Sequence, residues 1–146
     1  MERMMIVEQT AKEYLKQVGN IELQIKELQD EIKRLKELAV SIGALNCDEK
    51  VLSSGAQDKM ANTVCEIDEK VRELDEKVRE FVRIRSKVME TIHMLRNDEY
   101  EHILYKRYCL MKKWEEIALE MNISYRHVLR LHGLALVEIE EILKLS

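Results

Sequence analysis

WEEIALEMNISYRHVLRLHGLAL, residues 114–136, holds the arrangement that decides how this chain folds. Trp114, Ile117 and Ala118 fall at i, i+3 and i+4, the spacing of one face of a helix. Ala118 is small, so a second helix can cross close to its backbone. Met121-Asn122-Ile123 then interrupts the helical pattern. Asn122 suits the interruption because asparagine tolerates positive φ, and Ile123 is expected to be the buried residue of the turn. The side-chain oxygen of Ser124 can accept from the orphan amides of a following helix. Val128 and Leu131 resume the helical spacing and face inward. The stretch therefore reads as a helix-turn-helix, whose second helix is presented as a recognition helix for the major groove of DNA.

Upstream, Asn97-Asp98 opens a further helix. Asp98 is read as its N-cap, with Glu101 three residues on forming a capping-box-like pair. Tyr100, Ile103, Leu104, Tyr105 and Tyr108 give that helix an apolar side over about 98–109. The second helix covers about Lys113–Met121, and the third runs from Ser124 to about Lys144. Residues 97–146 are thus expected to form a compact unit of three helices.

The N-terminal part, residues 1–96, has a different rhythm. Met4, Val7, Ala11, Tyr14, Val18, Ile21, Ile25, Leu28, Ile32, Leu35, Ala39 and Ile42 are spaced by alternating steps of three and four. A second row comprises Met60, Val64, Ile67, Val71, Leu74, Val78, Phe81, Arg85, Val88, Ile92 and Leu95. Both are coiled-coil seams. Residues 43–57 between them hold two of the chain's four glycines and the pair Ser53-Ser54, and read as a connector with a short element around 49–52. The expected fold is all-α: a long antiparallel helical hairpin followed by the three-helix unit. Each seam can equally face a copy in another subunit. In the hairpin, Met4–Val18 lies opposite Phe81–Leu95, where Val82, Ile84 and Met89 widen the apolar face and call for another element to pack there.

Composition agrees with this reading. The chain has 146 residues, no proline and 36% charged residues, a mixture typical of long helices. The three cysteines Cys47, Cys65 and Cys109 form no CxxC pair, which speaks against a disulfide framework or zinc. There is no signal peptide and no apolar run of membrane-spanning length, so a cytoplasmic location is expected and no membrane is an expected partner. No nucleophile–base set, phosphate loop or metal-ligand cluster is visible. No enzymatic activity, catalytic residue, metal or cofactor is expected. His127 and His132, five residues apart, point to different helix faces and do not form a ligand pair.

The net charge of −4 rules out a polybasic coat, so any surface for a polyanion must be local. Such a surface is present. From Lys106 to Arg130 there are six Lys or Arg against three Glu, and no acid occurs from Asn122 through Val137. The outward positions of the third helix include Tyr125, Arg126, Leu129 and Arg130. Arg126, Arg130 and His127 are the candidates to reach base edges. Ser124, Tyr125, Lys112 and Lys113 are the candidates to hold phosphates.

The pattern RY-x5-WEEIA-x2-MNIS-x3-V-x2-LH-x2-AL resembles the fourth conserved region of bacterial sigma factors. Over nearly its whole length, the chain resembles small phage and prophage proteins of Gram-positive bacteria that join a helical N-terminal half to such a helix-turn-helix. Val51-Leu52-Ser53-Ser54-Gly55 followed by Asp58 is similar to their connector. The resemblance implies a transcription regulator that contacts RNA polymerase. Leu129 stands where sigma factors often carry a charged residue, and Gly133 where a longer side chain is usual, so no promoter preference carries over. Two other functions fit the same elements. One is the DNA-recognition subunit of a packaging machine, like a small terminase subunit. The other is a protein-interaction module in which the coiled coil does the work, as a homodimer or on another chain.

Overall fold

A computed structural model describes the backbone of residues 2–48 and 54–145, and the side chains of residues 10–44, 55 and 57–145. The described residues are helical almost throughout, with no strand. Helix α1 spans Glu2–Asp48 and α2 spans Ser54–His93. Helix α3 covers Asp98–Leu104 and passes into a π-helical turn, Tyr105–Cys109. Helices α4, Trp114–Met121, and α5, Tyr125–Leu145, complete the chain. The expected connector at 43–57 is largely helical, because α1 continues to Asp48 and α2 begins at Ser54. The element expected at 49–52 lies outside the described residues, as do the side chains of Met4 and Val7.

By contact density the chain forms two compact units, residues 22–80 and residues 1–21 with 81–146. In the first, the later part of α1 packs antiparallel to the earlier part of α2. Glu31 meets the Lys70 ammonium at 3.9 Å, and a Cβ added to Gly43 would lie 3.5 Å from the Met60 methyl. Leu28 and Ile32 are buried, and Met60, Ile67 and Leu74 are half-buried. The seam expected on α2 needs correction here: Val64, Val71 and Val78 are exposed. The neighbouring row, Thr63, Lys70 and Lys77, turns toward α1 instead. Either row flanks the central Met60–Ile67–Leu74 row, so heptad spacing alone does not choose between them. Lysine stems can cover apolar surface while their heads reach the acids of α1 or water. Thr63 is buried with its hydroxyl donating to the Lys59 carbonyl at 2.8 Å.

The second unit has a core drawn from α1, α2, α3, the π-helical turn and α5. Ala11, Leu15 and Val18 of α1, Val88 and Ile92 of α2, and Leu95 just after it join Leu104, Tyr108, Cys109, Ala135, Leu136 and Ile139. Tyr14 closes one side of this core, its hydroxyl 2.8 Å from Thr91 Oγ1. The broadened apolar face expected on α2 is used here: Ile84 and Met89 pack against the core, while Val82 stays exposed. A second cluster, Ile103, Ile117, Ala118, Val128 and Leu131, lies among α3, α4 and α5. Leu15 is fully buried yet sits off the expected α1 seam, because it faces the C-terminal helices as well as α2.

The helix boundaries have local causes. Asn97, one residue before the expected cap, caps α3: its side-chain oxygen accepts from the Tyr100 amide at 3.2 Å. Asp98, Glu99 and Glu101 then occupy the first turn, where carboxylates complement the helix dipole. Arg96 and Met111 adopt the left-handed conformation at the two chain reversals. Met111 lies over Gly19; a Cβ there would come within 2.7 Å of its sulfur, so the glycine makes room for this side chain.

Gly133 does not interrupt α5. A Cβ added there meets nothing within 4 Å. Replacing a helical glycine by alanine lowers the entropy lost on folding. Gly133→Ala is therefore expected to stabilise the protein by about 0.5–1 kcal/mol, read as a higher urea midpoint with unchanged slope.

Candidate nucleic-acid interface

Between α4 and α5 the chain reverses over three residues. Asn122 takes φ 57° and ψ 43°, a left-handed conformation. Its amide bonds the Leu119 carbonyl at 3.2 Å, and the Ile123 amide bonds the Ala118 carbonyl at 3.1 Å. This is a Schellman termination, completed by packing of Ile123 in the same cluster as Ala118. One residue later, Ser124 Oγ accepts from the His127 amide at 3.1 Å and starts α5. Both devices follow from the residue types read in the sequence.

Packing then sets which side of α5 is presented. Val128, Leu131, His132 and Ala135 are buried, which turns Tyr125, Arg126, Leu129, Arg130 and Leu134 to the outside. Tyr125 is 47% exposed and Leu129 38%. Arg126 and Lys113 have no ion pair among the described residues. Arg130 is oriented by a 3.3 Å contact from its Nη2 to His127 Nδ1. His127, a base-reading candidate from the sequence, is half-buried and lies beside Arg130.

The upstream bases are mostly occupied. Lys106 and Lys112 both bind Glu120 of α4, and these two hydrogen bonds hold the Glu120 carboxyl below the usual carboxylate range. Lys112, a phosphate candidate from the sequence, is thus already paired. Lys113 precedes α4 in extended conformation and is exposed. Arg107 has a structural task. Its guanidinium lies 4.4 Å over the Trp114 ring and donates to the Lys112 carbonyl at 3.0 Å, tying the π-helical turn to the start of α4. Nothing in the sequence separates Arg107 from the neighbouring lysines, because the π-helical turn that aims it is a product of packing.

Beneath this surface is a buried polar pair. The Tyr108 hydroxyl lies 2.7 Å from His132 Nε2, and the imidazole meets the Trp114 ring edge-on at 4.5 Å. Burial raises the Tyr108 pKa to about 12, and burial, with Lys12 and Arg107 adding repulsion, lowers that of His132 to about 4. Both groups are neutral near pH 7, and the tautomer of His132 sets which of the two donates. The folded His132 pKa lies below the ordinary value of 6.5. Its neutral form therefore contributes stability that is complete above pH 6.5 and is lost as the pH falls toward 4. That displacement corresponds to about 3 kcal/mol. Thermal melts between pH 7 and pH 4 are expected to show the loss. His132→Gln keeps an acceptor for Tyr108 and is expected to flatten the profile. An equally steep profile in that variant would assign the titration to another group.

Among the described residues, no helix is long and apolar enough to cross a membrane, and no three His, Cys, Asp or Glu side chains group as metal ligands. No family model, curated protein or solved structure matches the chain.

Proposed function

We propose that this chain is a sequence-specific double-stranded DNA-binding protein, a transcription regulator of phage or prophage type, which lays the first two turns of α5 in the major groove as the recognition helix of a helix-turn-helix. The observation that carries this reading is the outward face of α5: Tyr125, Arg126, Leu129 and Arg130 sit together, free of acids, on a helix capped at its start and held by a packed core.

The residues divide by reach and chemistry. Arg126 and Arg130 offer the bidentate donors that match guanine O6 and N7. Leu129 between them supplies an apolar contact suited to a thymine methyl group. Tyr125, Lys113 and the hydroxyl hydrogen of Ser124 hold phosphates. Lys112 joins them only if Glu120 releases it. Glu115 and Glu116 in the first turn of α4 repel the backbone, so α5 and Lys113 carry the contact. Contact with RNA polymerase rests on the likeness to sigma factors alone.

The test is selection of bound fragments from a random duplex pool, followed by titration of the winner at several salt concentrations. The reading requires a preferred sequence and a logarithm of affinity that falls linearly with the logarithm of salt, because bound phosphates release counterions. Absence of any shift at low salt would overturn it.

A further inference from the structure

α2 contains a heptad repeat with only one conservative difference: Asp68-Glu69-Lys70-Val71-Arg72-Glu73-Leu74, then Asp75-Glu76-Lys77-Val78-Arg79-Glu80-Phe81. Each repeat has two faces. Leu74 and the lysines turn to α1. The valine row turns away, and Val64, Val71 and Val78 are 53%, 44% and 40% exposed. Asp68 and Asp75 lie on the same face between the valines, so Val64, Asp68, Val71, Asp75 and Val78 alternate steps of four and three. That spacing is a coiled-coil seam, and among the described residues no other element of this unit covers it. Each aspartate is bordered by an arginine one turn on, Arg72 at 2.8 Å from Asp68 and Arg79 at 3.0 Å from Asp75.

We propose that a second copy of this chain docks on this face, α2 against α2, in antiparallel orientation. The charges argue for a copy and for the orientation. A parallel pair in register would set Asp68 against Asp68 and Asp75 against Asp75 within the seam. In the antiparallel pair, Asp68 lies opposite Val78 of the second copy and Val71 opposite its Asp75. Arg72 then comes level with the neighbourhood of the other Asp75, and Arg79 with that of the other Asp68. A two-fold axis makes every such contact twice. The face thus sets its aspartates against valines and arginines in this orientation, and the two Arg72 side chains that meet near the axis are each held by their own Asp68. Aspartates in the seam lower the affinity but select orientation and register, as polar seam residues do. The inference does not depend on the DNA-binding reading.

The test uses the full chain. Sedimentation equilibrium is expected to give a reversible dimer. Val71→Glu puts a further acid at the centre of the seam and is expected to raise the dissociation constant at least ~10-fold, a change of about 1.4 kcal/mol. Val71 is exposed in the monomer, so helical content by circular dichroism should be unchanged. Orientation is read from the exposed Cys65. In the antiparallel pair the two Cys65 residues stand ~24 Å apart, at 1.5 Å per residue, and oxidation should leave them unlinked. A monomeric wild type, a dimer indifferent to Val71→Glu, or a closed ring of many subunits would overturn the proposal. A Cys65–Cys65 disulfide in the oxidised dimer would overturn the orientation.

Discussion

A chain carrying Arg126→Ala together with Arg130→Ala is expected to bind its preferred duplex roughly 10²–10⁴-fold more weakly while remaining folded. Each bidentate arginine–guanine pair is worth about 1–3 kcal/mol of discrimination, and the two positions lie one turn apart on the same exposed face. Both side chains are exposed. Their truncation leaves Val128, Leu131 and the Ser124 cap in place, so melting should be nearly unchanged. The measurement is affinity for the selected duplex and for a scrambled one. Preference for the selected sequence should collapse, while weak binding to the scrambled duplex survives through phosphate contacts. Lys113→Ala is the contrast: affinity should fall for both duplexes, and the salt slope by ~1. Undiminished preference in the double variant would remove base reading from α5. An equal loss on both duplexes would reassign the two arginines to phosphates.

Residues 97–146 alone are expected not to hold a cooperative fold. Six members of their core, Ala11, Leu15, Val18, Val88, Ile92 and Leu95, come from residues before 97. Without them, Leu104, Tyr108, Ala135, Leu136 and Ile139 face water on a fragment too small to recover the loss elsewhere. In the full chain, Leu15→Ala removes a side chain that is fully buried in that core. It is expected to destabilise the protein by about 2–5 kcal/mol, a large part of the 5–15 kcal/mol typical of a domain. Urea melts followed at 222 nm read the variant, and circular dichroism with amide-proton dispersion reads the fragment. A well-dispersed, sharply melting fragment would show that the three C-terminal helices stand alone.

Most of the architecture was legible in the residues because it rests on local rules. Asn122 in the left-handed turn, Ser124 as a cap, and Trp114, Ile117, Ala118, Val128 and Leu131 as inward positions all follow from helix periodicity and the chemistry of helix ends. Two matched heptad rows joined in sequence allowed α1 to pair with α2 or with a copy in another subunit, and the tertiary structure shows the pairing within the chain. The helix ends around 43–57 were less legible, since glycine and serine weaken a helix by amounts that its continuation can override. The cap of α3 moved by one residue because Asn97 and Asp98 are both good caps, and residue type alone does not choose between neighbours.

The candidate site divides in the same way. The outward position of Arg126 and Arg130 is a consequence of spacing and could be read directly. The state of each charge could not. Lys112 is paired with Glu120, Arg107 is folded over Trp114, and His127 orients Arg130 because of side chains brought together by turns and by a π-helical segment. By itself, then, the sequence determined the all-helical class and the capped reversal before α5, since each depends on residues within a few turns of one another. Only the tertiary structure decided which heptad row of α2 meets α1, why Leu15 is buried, and which bases are left without an acid. Those outcomes depend on competition among distant side chains for the same partners, and periodicity along one chain does not rank such competitors.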